Sequence, residues 1–227
     1  MRAATASAVR SSKQGPITWT PIGSPAARVL KNTYTLLSAT LLFTAAITWA
    51  TQGVHIAPMA YLACVIGSFV LLFVTFRLQN SGLGVLALFG FAGLEGFALG
   101  PVISAYSHAP GGSSTVATAA LLTGAAFIGL SAYVHITRKD FSAWAGMLFA
   151  GLLVVVVASF ISIFFNSPAT NMALAAVSSL LFCGYILFDT SRIIHGGETN
   201  YIMATVRLYL DILNLFLSLL RLLGDRR

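Results

Sequence analysis

Residues 200–223, NYIMATVRLYLDILNLFLSLLRLL, decide how this chain is read. Arg207, Asp211, Asn214, Ser218 and Arg221 recur at steps of four, three, four and three, with Leu, Ile, Phe and Tyr filling almost everything between them. On an α-helix those steps place all five on one stripe. A stripe carrying charge cannot comfortably face acyl chains, so it must face a protein interior or water. Three placements satisfy the remaining apolar surface: a central helix wrapped by others, a re-entrant segment, or a helix lying in the interface. The central helix best explains an apolar surround combined with a charged stripe. In that placement Asp225, Arg226 and Arg227 follow the helix on the non-cytoplasmic side.

The rest of the chain gives this segment its setting. Hydrophobic residues make up 57% of the 227 and charged residues 8%, against about 25% charged in soluble domains. Apolar runs near 33–51, 56–76, 83–106, 115–136, 142–165, 171–190 and 200–223 are long enough for the roughly 20 residues that cross a bilayer core. The fold class is therefore an all-α polytopic membrane protein with seven transmembrane helices, in two domains: a disordered cytoplasmic tail, 1–31, and a membrane domain, 32–227. The tail holds Arg2, Arg10, Lys13, Arg28 and Lys31 and no acid. It has no apolar stretch typical of a secretory signal; its basic, acid-free composition also suits an organelle transit peptide.

The net charge of +7 reads as topology rather than as a nucleic-acid surface. The links near Arg77, near Arg138 and Lys139, and near Arg192 are basic, while those around His55, His108 and Pro168 carry no Lys or Arg. That alternation places the N-terminus and the basic links in the cytoplasm.

Two carboxylates fall on the same side of this map. Asp189 closes the sixth apolar run near its cytoplasmic end, and Asp211 lies roughly 8–17 Å into the seventh. Arg77 ends the second run on that side too. Two acids in a low-dielectric site repel, so such a pair shares a proton unless a guanidinium intervenes. Two readings stay open: a protonation-biased switch built on Asp189, Asp211 and Arg77, or a static cluster in which Arg77 and Arg207 neutralise both acids. Glu95 stands about 18 Å into the glycine-rich third run, near the midplane. It is either functional or a protonated group bonded to a neighbouring helix. With Arg207, Asn214 and Ser218, it is a candidate for lining a pore or packing polar groups together.

Around Glu95, Ala92, Gly96 and Gly100 form a small-residue stripe suited to close helix contact. Cys64 and Cys183 lie in apolar runs and behave as small hydrophobes. No metal-ligand spacing, nucleotide-binding glycine motif, zinc-protease helix or nucleophile elbow occurs. The expectation is a protein that is not an enzyme and has no cofactor or firmly assignable metal.

The run from His195 through Gly196, Gly197, Glu198, Thr199, Asn200, Tyr201 and Ile202 to Asp211 resembles the C-terminal signature of the transmembrane Bax-inhibitor-motif family. Gly90-Phe91-Ala92-Gly93, Leu99-Gly100-Pro101 and Thr137-Arg138-Lys139-Asp140 are similar to the same family, and Val29 to Tyr34 resembles the start of its bacterial YccA-like branch. The resemblance implies two three-helix layers around a central C-terminal helix. It also implies a pH-sensitive calcium leak governed by two aspartates, at positions matching Asp189 and Asp211, with Arg77 matching an arginine that competes for the first. The YccA-like branch implies instead a partner, an FtsH-type membrane protease, and a bacterial inner-membrane location. Expected surroundings are the lipid bilayer, calcium as permeant ion and no nucleic acid.

Overall fold

The computed structural model describes residues 25–109, 111–165 and 167–224. Among them are seven helices long and apolar enough to cross a membrane. These are α1 (Pro25–Thr51), α2 (Pro58–Arg77), α3 (Gly82–Ser107), α4 (Gly112–Thr137), α5 (Ala145–Phe165), α6 (Pro168–Ile194) and α7 (Tyr201–Gly224). A 3-10 turn at Ser142–Trp144 precedes α5. Helix α7 is central, packed by α6, α4, α1 and α3. In one layer α1 and α2 both pack on α3; in the other α4 and α5 both pack on α6. The outer helices turn large apolar side chains outward, Phe69 and Phe73 on α2 and Phe149 and Phe160 on α5 among them, as surfaces bathed in lipid do.

Two helix ends depart from the sequence expectation. Residues 25–31, assigned above to the tail, form the first turns of α1. Hydropathy alone starts that helix too late because Arg28 and Lys31 interrupt it, yet Val29 and Leu30 between them pack on the core. The remainder of the expected tail, 1–24, lies outside the described residues, as do Asp225, Arg226 and Arg227. Helix α6 runs on to Ile194, so Asp189 sits inside it rather than closing it. Thr190 and Ser191, which follow it, are fully buried. The Ser191 hydroxyl accepts the Phe141 N–H at 3.0 Å, a partner that only the tertiary fold supplies.

The small-residue stripe of α3 meets a threonine stripe on α1. Thr44 donates to the Ala92 carbonyl at 3.1 Å and Thr48 to the Gly96 carbonyl at 3.0 Å. Those bonds are available because Gly96 lets the backbones touch. A Cβ there would stand 2.7 Å from the Thr44 carbonyl oxygen and 3.0 Å from Ile47. Thr44 also accepts from the Tyr209 hydroxyl at 2.8 Å, and the Tyr209 ring packs edge-on against Phe91 with centroids 5.5 Å apart. Close packing of α3 on α1 therefore fixes α7 as well.

Gly96→Ala should lower thermal stability in detergent by about 1–3 kcal/mol, because the methyl must push backbone aside. Gly129→Ala should cost nothing, since a Cβ there meets no atom within 4 Å.

Candidate functional site

The link from α6 to α7 is built to aim charged groups inward. Gly196 takes φ +76°, and the Gly197 N–H returns to the Arg192 carbonyl at 2.8 Å, closing α6 with a left-handed turn. Asn200 starts α7, its side-chain oxygen accepting the N–H groups of Ile202 at 2.9 Å and Met203 at 3.1 Å. The Asn200 amide nitrogen donates to the Gln79 carbonyl and the Asn80 side chain, both at 2.9 Å. The ring of His195 lies between the Ser191 carbonyl, 2.9 Å from Nδ1, and the Arg138 carbonyl, 3.0 Å from Nε2. One short link thus ties α6 and α7 to the α2–α3 and α4–α5 links.

Held between these anchors is a closed ring of four charges. Asp189 Oδ1 is 3.9 Å from Arg207 and 4.0 Å from Arg192. Glu198 Oε2 is 3.6 Å from Arg207 Nε and 3.9 Å from Arg192. Asp211 adjoins the ring from the interior, its carboxyl within hydrogen-bonding reach of Asp189. Each aspartate residue is only 5% exposed. Asp189 Oδ1 and Asp211 Oδ2 are buried without a hydrogen-bond partner among the described residues. Three acids face two guanidiniums, so five ionised groups would leave one negative charge uncompensated in a low-dielectric site. Two ionised carboxylates are both acceptors and cannot bond to each other. One proton on the aspartate pair resolves both problems, supplying the missing donor and making the cluster neutral.

A cavity of about 440 Å³ opens beside the pair, between α5, α6 and α7. All five residues of the α7 polar stripe line it, joined by Ser159 of α5 and Ser178 of α6. Asn214 and Ser218 each donate to the carbonyl four residues back, at 2.7 Å, so they present polar surface to the cavity with those donors already bonded. The stripe also sets the exposure of α7: Arg207, Asn214 and Ser218 are half-buried and Arg221 is exposed, while Leu208, Tyr209 and Leu215 are fully covered.

The structure gathers Asp189, Asp211, Arg207, Asn214 and Ser218 at one cavity and leaves two candidates elsewhere. The Arg77 guanidinium lies 4.9 Å over the Phe73 ring and makes no ion pair among the described residues. The cations beside Asp189 are Arg207 and Arg192 instead. Glu95 sits at a separate cavity between α2 and α3. Arg192 and Glu198 were missed in the sequence. Arg192 stands three residues after Asp189, a helical pairing distance that ending α6 early had hidden. Glu198 gave no signal beyond its place in the link.

Comparison with known proteins locates this arrangement in sequence space. The profile of the family described as inhibitor of apoptosis-promoting Bax1 matches residues 26–227. A Vibrio cholerae protein described as an uncharacterized membrane protein is 48% identical over 198 residues, 87% of this chain and 89% of its own. The Escherichia coli K12 protein named modulator of FtsH protease YccA is 43% identical over 197 residues, covering 87% and 90%. Mouse protein lifeguard 4 is 36% identical over 172 residues, covering 75% and 70%.

Proposed function

The chain belongs to the Bax1-inhibitor family, and from that premise we propose that it is a non-enzymatic, multi-pass protein of a bacterial inner membrane that modulates an FtsH-type membrane protease. The support is the YccA relative, whose name carries that role and whose alignment covers nine-tenths of its length. The basic residues support one orientation. Arg28, Lys31, Arg77, Arg138, Lys139 and Arg192 all fall at the end of the bundle that holds the α6–α7 link, which the positive-inside rule assigns to the cytoplasm. The segment ahead of α1 then lies on the cytoplasmic side, where a protease can engage it.

A second reading is carried by the acid pair: a cation leak, with calcium as permeant ion, gated by protonation of Asp189 and Asp211. With one proton the pair bonds α6 to α7 beneath the charged ring. Without it the two carboxylates repel, and Asp189 shifts toward Arg192 and Arg207, parting the helices beside the polar cavity. Deprotonation therefore opens the path. The two readings are compatible, since a protease partner grips a segment outside the bundle while the gate lies within it.

Deleting residues 2–24, ahead of α1, should leave the helical bundle intact, slow turnover of the protein in cells and abolish co-purification of the protease. Equal turnover with and without the segment, and no protease recovered with the full chain, would reject the modulator reading.

For the leak, purified protein in liposomes should release calcium faster as pH rises from about 5 to about 8. Asp189→Asn and Asp211→Asn should each flatten that response. A pH response unchanged in both variants would reject the gate.

A further inference from the structure

Glu95 is a membrane-embedded carboxyl that neither reading uses. It lines a second cavity, of about 210 Å³, between α2 and α3, together with Tyr61, Cys64 and Ser68. The Ser68 hydroxyl donates to the Val65 carbonyl at 2.9 Å, leaving its oxygen as an acceptor, and no Lys, Arg or His lines the cavity. Tyr61 lies in the first turn of α2, the end of the bundle opposite the charged ring. The cavity therefore extends from the level of Glu95 toward the far membrane face.

The two cavities share one side chain. Leu210 of α7 lines the cavity of the aspartate pair and also the cavity of Glu95. It is adjacent in sequence to Asp211, so a shift of α7 that parts the pair also moves this wall. The other way out of the first cavity follows the α7 stripe and ends on Arg221, an exposed guanidinium that repels an approaching cation. The Glu95 route ends instead on a carboxylate and hydroxyl oxygens.

Building on the cation-leak reading, we infer that cations pass from the aspartate-pair cavity across Leu210 into the Glu95 cavity, with Glu95 as the binding carboxylate of the far half. One carboxylate with the Ser68 and Tyr61 oxygens falls short of the six to eight oxygens that hold calcium tightly. That suits a station which an ion enters and leaves. Leu210 is the apolar constriction between the two halves.

The native thiol at Cys64 tests the route in the intact protein. In a Cys183→Ser background, in liposomes, the cationic reagent 2-aminoethyl methanethiosulfonate should modify Cys64 and cut calcium flux about tenfold by placing a fixed positive charge in the path. Adding Cys64→Ala should make the flux insensitive to the reagent. Glu95→Gln should lower flux about tenfold and Glu95→Asp should restore most of it, whereas Leu210→Ala should raise it. Flux at the unmodified level after modification of Cys64 confirmed by mass spectrometry, with Glu95→Gln at the wild-type rate, would overturn the route. Failure of the reagent to reach Cys64 would also overturn it. No calcium flux from the unsubstituted protein at any pH would instead overturn the leak reading on which it rests.

Discussion

Three acids and two guanidiniums share one partly buried corner of this protein, with the two aspartates at its buried side, and the geometry around them follows from that imbalance. Asp189, Glu198, Arg192 and Arg207 close a ring with sides of 3.6–4.0 Å, and Asp211 adds a third carboxyl from the interior. In water an extra charge of this kind costs little. Beside two buried aspartates it must be neutralised, and among the described residues no further cation pairs with them: Arg77 stacks on Phe73 and Arg221 lies at the far end of the cavity. A proton is the smallest positive charge that fits, and between two facing carboxyls it also supplies a hydrogen bond.

A proton shared by such a pair would require rigid neighbours, because its bond responds to separations of a fraction of an ångström. The fold supplies them from both sides. The α6–α7 link is fastened at each end, by the Gly196 turn and by the Asn200 cap, and is tied sideways to Gln79, Asn80 and Arg138. Deeper in the bundle the bonds of Thr44 and Thr48 onto α3 and of Tyr209 onto Thr44 lock α7 against the first layer. Helix α7 is thus anchored to the first layer on one side and packed along α6 on the other.

Much of this was legible in the sequence. The stripe from Arg207 to Arg221 could be read because the helical period is a local property, and a charged stripe in an apolar segment has few places to go. The small-residue stripe of α3 was read for the same reason, although its threonine counterpart on α1 passed unnoticed among the apolar residues around it. The end of α6 was not legible: the apolar run ends near residue 190, and only the fold gives Thr190 and Ser191 buried partners. The identity of the cation facing Asp189 was missed on similar grounds. Arg77 lies on the correct side of the membrane, but sidedness fixes depth and not azimuth, and α2 packs on the outside of α3, away from α6. Glu198 could be placed only once the link was folded, because a residue in a short turn shows no period.

The shared proton is the claim on which the functional account turns, and infrared spectroscopy observes it without any assay of transport or partner binding. A pH-difference spectrum of the purified protein between about pH 5 and about pH 8 should show one protonated-carboxyl carbonyl band that disappears on deprotonation. The band should shift or vanish in both Asp189→Asn and Asp211→Asn, because the proton belongs to the pair. No titrating carboxyl band assignable to either residue would mean that neither acid changes its protonation across this range, and would contradict the switch.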